Sequence, residues 1–315
     1  MHSLCGGRDV GRLLAADDLP RRLSLLGFWA ADLADTLAAV PAVLNSATDL
    51  AHVQAMAERL SLGIGRIDDL ERESLPWPWR TEGSGSAYGI GVLEMLALVA
   101  ITDEVRAFHR SRGIGPADSW RALSDLGQQI HVHRLTYGQF GLHTHDWLRV
   151  AWSGALYWLG RLQFNLQRDV GADRSDWVLS THIPRSGPLI PQRVGTAFAW
   201  ARRFFVEHFA EYDIRAFYCS SWLLDPELAR ALPATSNIAQ FQRRWTLHGQ
   251  PGPGDDDAIF FTFDRRPPVD LATLPRDTTL QRVILDRLAA GGHWRVWDGR
   301  IELDEPAGGR ATAEG

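Results

Sequence analysis

Residues 176–225 restrict the fold more than any other stretch of this chain. They read as an apolar strand, a Gly/Pro turn, an amphipathic helix entered through small residues, and a second apolar strand. The helix entry is Gln192-Arg193-Val194-Gly195-Thr196-Ala197, a Q-x-x-G-x-A pattern directly after a strand. The first turn of a helix presents unpaired N–H groups and partial positive charge, which suit a pyrophosphate. In this position the pattern points to coenzyme A, and so to acyl transfer. Arg193 adds charge there, and Arg185, Ser186 and Gly187 just upstream would extend the same anion cradle. The alternative is packing alone, with Gly195 and Ala197 letting the helix lie close to a sheet.

The 315 residues correspond to one large domain or two ordinary ones, with 45% apolar and 23% charged residues, enough to bury a full core. A net charge of −5 gives no general attraction for nucleic acid or an anionic membrane. All 33 basic residues are arginine, as in GC-rich, actinobacterial coding, so no lysine is available as a nucleophile. Two cysteines, Cys5 and Cys219, are too few for a disulfide framework and fit a reducing cytoplasm. No signal peptide and no run of 18 apolar residues is evident.

The first half reads as helices over residues 21–39, 47–60, 92–111 and 120–130, with Pro41 ending or kinking the first. The second half changes character near residue 150. Strands are expected over 155–166, 177–183, 216–224, 244–248 and 258–264, and a hairpin turning at Asp298-Gly299. Helices are expected over 191–209, 226–242 with a break at Pro233, and 279–290. Residues 306–315 read as a disordered tail.

Four strings go further: LGRLQF (159–164), HIPRSGPL (182–189), YCSSWLLDP (218–226) and SNIAQF (236–241). Over nearly the whole chain they resemble a bacterial acyltransferase group with a helical N-terminal domain and a GNAT-like C-terminal domain. The resemblance implies an α+β fold: a GNAT-like mixed sheet with flanking helices over 151–305, preceded by an all-helical domain over 1–150. It also implies transfer of an acyl group from acyl-CoA to the amine of a small molecule.

Against that group, His182 ends the strand that opens toward the acyl donor. The strand offers no glutamate, so His182 is the candidate base; the other reading is a structural histidine bonded to Gly187-Pro188-Leu189. Ile183 follows it at the donor edge. Cys219, Ser221 and Trp222 fall where the next strand splays, with Ser221 a polar site residue and Cys219 an apolar filler or a nucleophile. The usual tyrosine acid is missing from the following helix, where Tyr218, Ser221 or Asn237 would substitute; Asn237 reads equally as a cap. Arg161 and Gln163, two apart on an expected strand, face an acceptor carboxylate or solvent. Trp77, Trp79, Trp152 and Trp158 are candidates to line a pocket or to pack two domains together. His131, His133, His143 and His145 would hold a metal only if an H-x-H pair lay on a strand; no metal is expected. Three rivals stand beside this reading: a non-catalytic protein binding an acyl ligand, a metal-dependent enzyme built on the His131 to His145 cluster, and an acyltransferase fed by a carrier-protein thioester.

Overall fold

The computed structural model describes residues 9–69, 87–169 and 176–303. Cys5, Trp77, Trp79 and the tail from residue 306 lie outside these residues.

The first half is helical. Val92–Ala100 is apolar but for Glu94 and buried except at Leu93 and Glu94, which makes it the centre of the bundle. Ala47–Leu62 packs along it, and Ala30–Asn45, Thr102–Ser111 and His145–Trp152 surround the pair. The expected helix over 21–39 is two helices, Leu19–Leu25 and Ala30–Asn45. Gly27 separates them at φ +81°, with Ser124 O only 2.4 Å from where a Cβ would sit. Pro41 lies inside Ala30–Asn45 and does not end it. Residues 92–111 also split at Ile101, and the expected fourth helix is Pro116–Leu123 followed by Asp125–Tyr137.

The second half is built on a six-stranded sheet: β1 (Leu156–Leu159), β2 (Leu162–Arg168), β3 (Trp177–His182), β4 (Ile214–Ser221), β5 (Thr246–Pro253) and β6 (Arg295–Glu302). The order is β1-β2-β3-β4-β6-β5, with β3 and β4 parallel and the other neighbours antiparallel. The helix Pro191–His208 makes the crossover between the parallel strands, as a parallel pair requires. Its Phe198, Phe204 and Phe205 cover one sheet face, against Phe164, Leu179 and Phe217.

Three expectations are corrected here. Residues 155–166 form two strands, because Gly160 takes φ +69° and turns the chain at Gly160-Arg161. Residues 258–264 belong to the helix Asp255–Phe263, whose first turn carries Asp255, Asp256 and Asp257 at the positive end of the helix dipole. Asp298-Gly299 makes no turn: both lie in β6, where a Cβ on Gly299 would come within 2.8 Å of Leu224 and 3.0 Å of Trp245.

The parallel ladder between β3 and β4 runs from Trp177 to its last pair, Ser180 with Tyr218. Beyond it the strands part. Thr181 and His182 continue one strand, Cys219 to Ser221 the other, and a cleft opens between them.

Candidate active site

The cleft has a volume of about 1060 Å³. The parted strands form its floor. The loop 183–189 forms one wall, and Gln128, Gln129 and Trp147 from the helical half form another. The far side is apolar, built from Trp222, Leu232, Ile238, Phe260 and Leu280.

His182 sits at the end of β3, its register partner on β2 being Gln163. Residues alternate across a strand, so Gln163, Asn165, Ser180 and His182 share the sheet face opposite the crossover helix. The His182 Nε2 atom lies 2.5 Å from Asn165 Oδ1. The Trp147 ring meets the imidazole edge-on, with centroids 4.5 Å apart. The Trp147 indole in turn donates to Asp125 Oδ2 at 2.7 Å. Asp125 is completely buried, and burial pushes its carboxyl pKa up while the bond from Trp147 opposes this. Burial depresses the His182 pKa from 6.5 to about 4, so the imidazole is neutral across the physiological range.

Ser221, Trp222 and Asn237 line the cleft. Ser221 Oγ accepts from Leu223 N at 3.1 Å and caps the short turn Trp222–Leu224, which leaves its O–H able to donate. The cap of the helix Asn237–Gln242 is Ser236, not Asn237, so the Asn237 side chain is not taken by capping. Cys219 is buried, and burial pushes its thiol pKa up to about 12, which removes it as a ready nucleophile. Tyr218 does not line the cleft: its hydroxyl donates to Asp298 Oδ1 at 2.7 Å, and burial raises its pKa.

Arg161 is corrected in its role. It sits in the β1–β2 turn, and its guanidinium donates to Pro188 O at 3.1 Å, Pro184 O at 3.0 Å and Gly187 O at 2.6 Å. Ser186 Oγ accepts from it at 3.4 Å. The side chain lines the cleft while most of its donors shape the loop, which leaves little of the fork for a substrate carboxylate. Gln163 lies beside it, buried and lining the cleft.

Ile183, Arg185 and Gly187 also line the cleft, and Arg185 is ion-paired with Asp264 across it. Gln192, Arg193, Val194, Gly195, Thr196 and Ala197 form the first turns of Pro191–His208 and lie outside the cleft wall. No side chain caps that helix start, and Pro191 at the first position has no N–H. Gln192, Arg193 and Thr196 line its outer side, Val194 and Ala197 are buried, and a Cβ on Gly195 would meet nothing closer than 3.8 Å.

The four histidines do not converge. His131 stacks on Trp29 with centroids 3.9 Å apart, and His133 Nδ1 meets His143 Nδ1 at 3.1 Å. His131 and His133 lie on the helix Asp125–Tyr137, where residues two apart face different ways. Among the described residues no group of three or more His, Cys, Asp or Glu is placed to hold a metal ion. Trp152 is buried in the helical core, donating to Leu98 O at 2.7 Å, and Trp158 packs under Arg121; neither lines the cleft.

Asn165, Trp147, Asp125 and the helix Asp255–Phe263 were missed in the sequence. An asparagine in an apolar strand and a tryptophan in an apolar helix carry no pattern of their own. Asn165 becomes visible only when β2 pairs with β3, and Trp147 only when the two halves of the chain meet.

Comparison with known proteins bears on this geometry. The N-acyltransferase N-terminal domain matches residues 17–154, and the GNAT-like C-terminal domain matches residues 156–301. A solved acyltransferase in complex with CoA and 10C-teicoplanin is 30% identical, with TM-score 0.82, over 93% of this chain and 90% of that chain. The chain belongs to this acyltransferase family. Another member, an acyltransferase in complex with decanoyl-CoA, is 34% identical, with TM-score 0.79, over 92% of this chain and 88% of that one. A third, in complex with decanoyl-CoA and teicoplanin, is 28% identical, with TM-score 0.77, over 92% and 88%. No curated protein sequence matches the chain. As an acyltransferase of this family, the protein carries a GNAT-like sheet whose parted strands form the cleft floor.

Proposed function

We propose that this acyltransferase moves an acyl group from acyl-CoA to the amine of a small molecule by direct attack. The observation that carries the reading is the opening of the β3–β4 ladder beside His182. There a thioester has room to lie against strand edges that no longer pair with each other, and their backbone N–H groups polarise its carbonyl. The CoA and decanoyl-CoA complexes of relatives support the donor, and their teicoplanin complexes support a bulky small-molecule acceptor.

In this reading the neutral amine attacks the thioester carbon, and His182 receives the proton. A base of pKa near 4 is too weak to strip a free alkylammonium. It takes the proton from the nitrogen as the C–N bond forms, when that nitrogen is more acidic than the free alkylammonium. The C–S bond then breaks, and the proton on His182 passes to the departing thiolate, directly or through Ser221 or Asn237. The sum is acyl thioester plus amine to amide plus thiol, with the enzyme unchanged. The high pKa of Cys219 supports direct attack over an acyl-cysteine. Gln192 to Ala197, with Arg193 alongside, present the helix start to the CoA phosphates. Gln128, Gln129 and Trp147 wall the acceptor side. The reading places the protein in the cytoplasm, where acyl-CoA is available; among the described residues no helix is long and apolar enough to cross a membrane.

The test incubates the purified chain with acyl-CoAs of graded length and an amine pool, following thiol release and the acylated products by mass spectrometry. Amine-dependent thiol release with a new amide is expected. Binding of acyl-CoA with no transfer to any amine would make the protein an acyl-ligand binder. Transfer solely from an acyl carrier protein would replace the donor.

A further inference from the structure

Asn165 lies on β2 diagonally across from His182 on β3, on the same sheet face. Its side-chain oxygen sits 2.5 Å from His182 Nε2. An amide oxygen only accepts, so Nε2 must carry the hydrogen. The amide orientation has a second, independent anchor: Asn165 Nδ2 donates to Leu166 O at 3.1 Å. Flipping the amide would set its oxygen against that carbonyl oxygen and turn two donors toward the ring. A neutral imidazole with Nε2–H has its lone pair on Nδ1, and no described protein group bonds that atom. The groups around the ring are Asn165 and Gln163 from β2, Ser180 from β3 and Trp147 from the helix His145–Trp152, all uncharged. The Asp125 carboxylate bonds to the Trp147 indole, with Gln163 beside it.

We propose that Asn165 is a positioning residue of the reaction: it holds His182 as the Nε2–H tautomer, so that Nδ1 is the atom that receives the amine proton. The inference rests on His182 being the base and names which of its two nitrogens does the work. The same ring with the proton on Nδ1 would turn a donor toward the amine and have no lone pair to offer it. Asn165 acts through His182 and touches no substrate.

The experiment uses the full chain labelled with 15N-histidine, the His182 resonances being assigned by their loss in His182→Gln. The wild type should show a protonated Nε2 and an unprotonated Nδ1. Asn165→Leu should leave a mixture of tautomers and lower kcat about tenfold or more, with the KM for acyl-CoA nearly unchanged. Asn165→Asp keeps an acceptor and adds a charge. It should retain Nε2–H and move the acid limb of kcat/KM, normalised to the neutral fraction of the amine, upward by about one pH unit or more. A wild-type ring protonated on Nδ1, or Asn165→Leu with unaltered tautomer and kcat, would overturn the role given to Asn165. Full turnover in His182→Gln would remove the base reading itself, whichever tautomer the wild type shows.

Discussion

In the proposed reaction His182 can serve as the base because the cleft keeps it neutral. Water would let the ring titrate near 6.5; burial among Trp147, Asn165 and Gln163 holds it near 4. The base form is therefore present at any pH above about 4. With rates normalised to the neutral fraction of the amine, we expect kcat/KM to lose activity on its acid side near pH 4, and a loss centred near 6.5 would put the titrating group in water. His182→Ala should lower kcat by roughly 10²–10⁴-fold while acyl-CoA affinity, followed by calorimetry, stays within about twofold. An unchanged kcat would remove His182 as the base. At this scale part of the chemistry was legible. A strand ending in Thr-His with no glutamate singles out its histidine, and Ser221 and Asn237 reach the same cleft. Asn165 was not legible, because its meaning comes from a partner on another strand. Arg161 misled for the opposite reason: a glycine before it made a turn, and the turn aimed its fork at loop carbonyls.

Among the elements, the crossover helix Pro191–His208 was readable from its amphipathic spacing and its Pro entry. Its uncapped start has open space at Gly195, where a carboxylate would add both bulk and charge at the proposed phosphate site. Gly195→Glu should weaken acyl-CoA binding at least about tenfold through like-charge repulsion, with the fold intact by circular dichroism. Unaltered binding would move the pyrophosphate elsewhere. In strand β6 packing overrides turn chemistry. Asp-Gly usually marks a hairpin, but here Gly299 lets Trp245 and Leu224 lie against the sheet. Gly299→Val should destabilise the protein by roughly 1–3 kcal/mol through overpacking, seen as a lower midpoint in urea. A neutral result would mean that Leu224 and Trp245 move aside and that their approach does not require a glycine here.

The whole molecule joins a helical bundle to a sheet, and the joint is where titratable groups are buried. His109 and His182 are both depressed below 6.5 by burial, to about 3 and about 4. His133 and His143 are lowered to about 4, again chiefly by burial. In the unfolded chain all four titrate near 6.5. As pH falls below 6.5 the unfolded state binds protons that the folded state refuses, so stability falls until the folded rings titrate near 4 and 3. The loss should reach several kcal/mol, since each pH unit by which burial lowers a pKa is worth about 1.4 kcal/mol. It should be absent above about pH 7 and fully developed by about pH 3. Denaturant unfolding at a series of pH values checks this, and a flat profile would mean that these rings are hydrated.

Composition, the order of elements and four short strings were enough to place this chain among acyltransferases with a helical first half and a GNAT-like second half. Those features are local: spacing along a helix, alternation along a strand and the residues at a turn are written in consecutive positions. The breaks in the helices, the division of residues 155–166 into two strands and the partner of the His182 ring were settled only by tertiary structure. The helix break at Gly27 and the surroundings of the His182 ring depend on contacts between residues distant in the chain, Gly27 with Ser124 and His182 with Trp147, while the division of 155–166 follows from the backbone that Gly160 adopts. No local pattern records which distant side chain will take up a glycine's open space or a histidine's ring nitrogen.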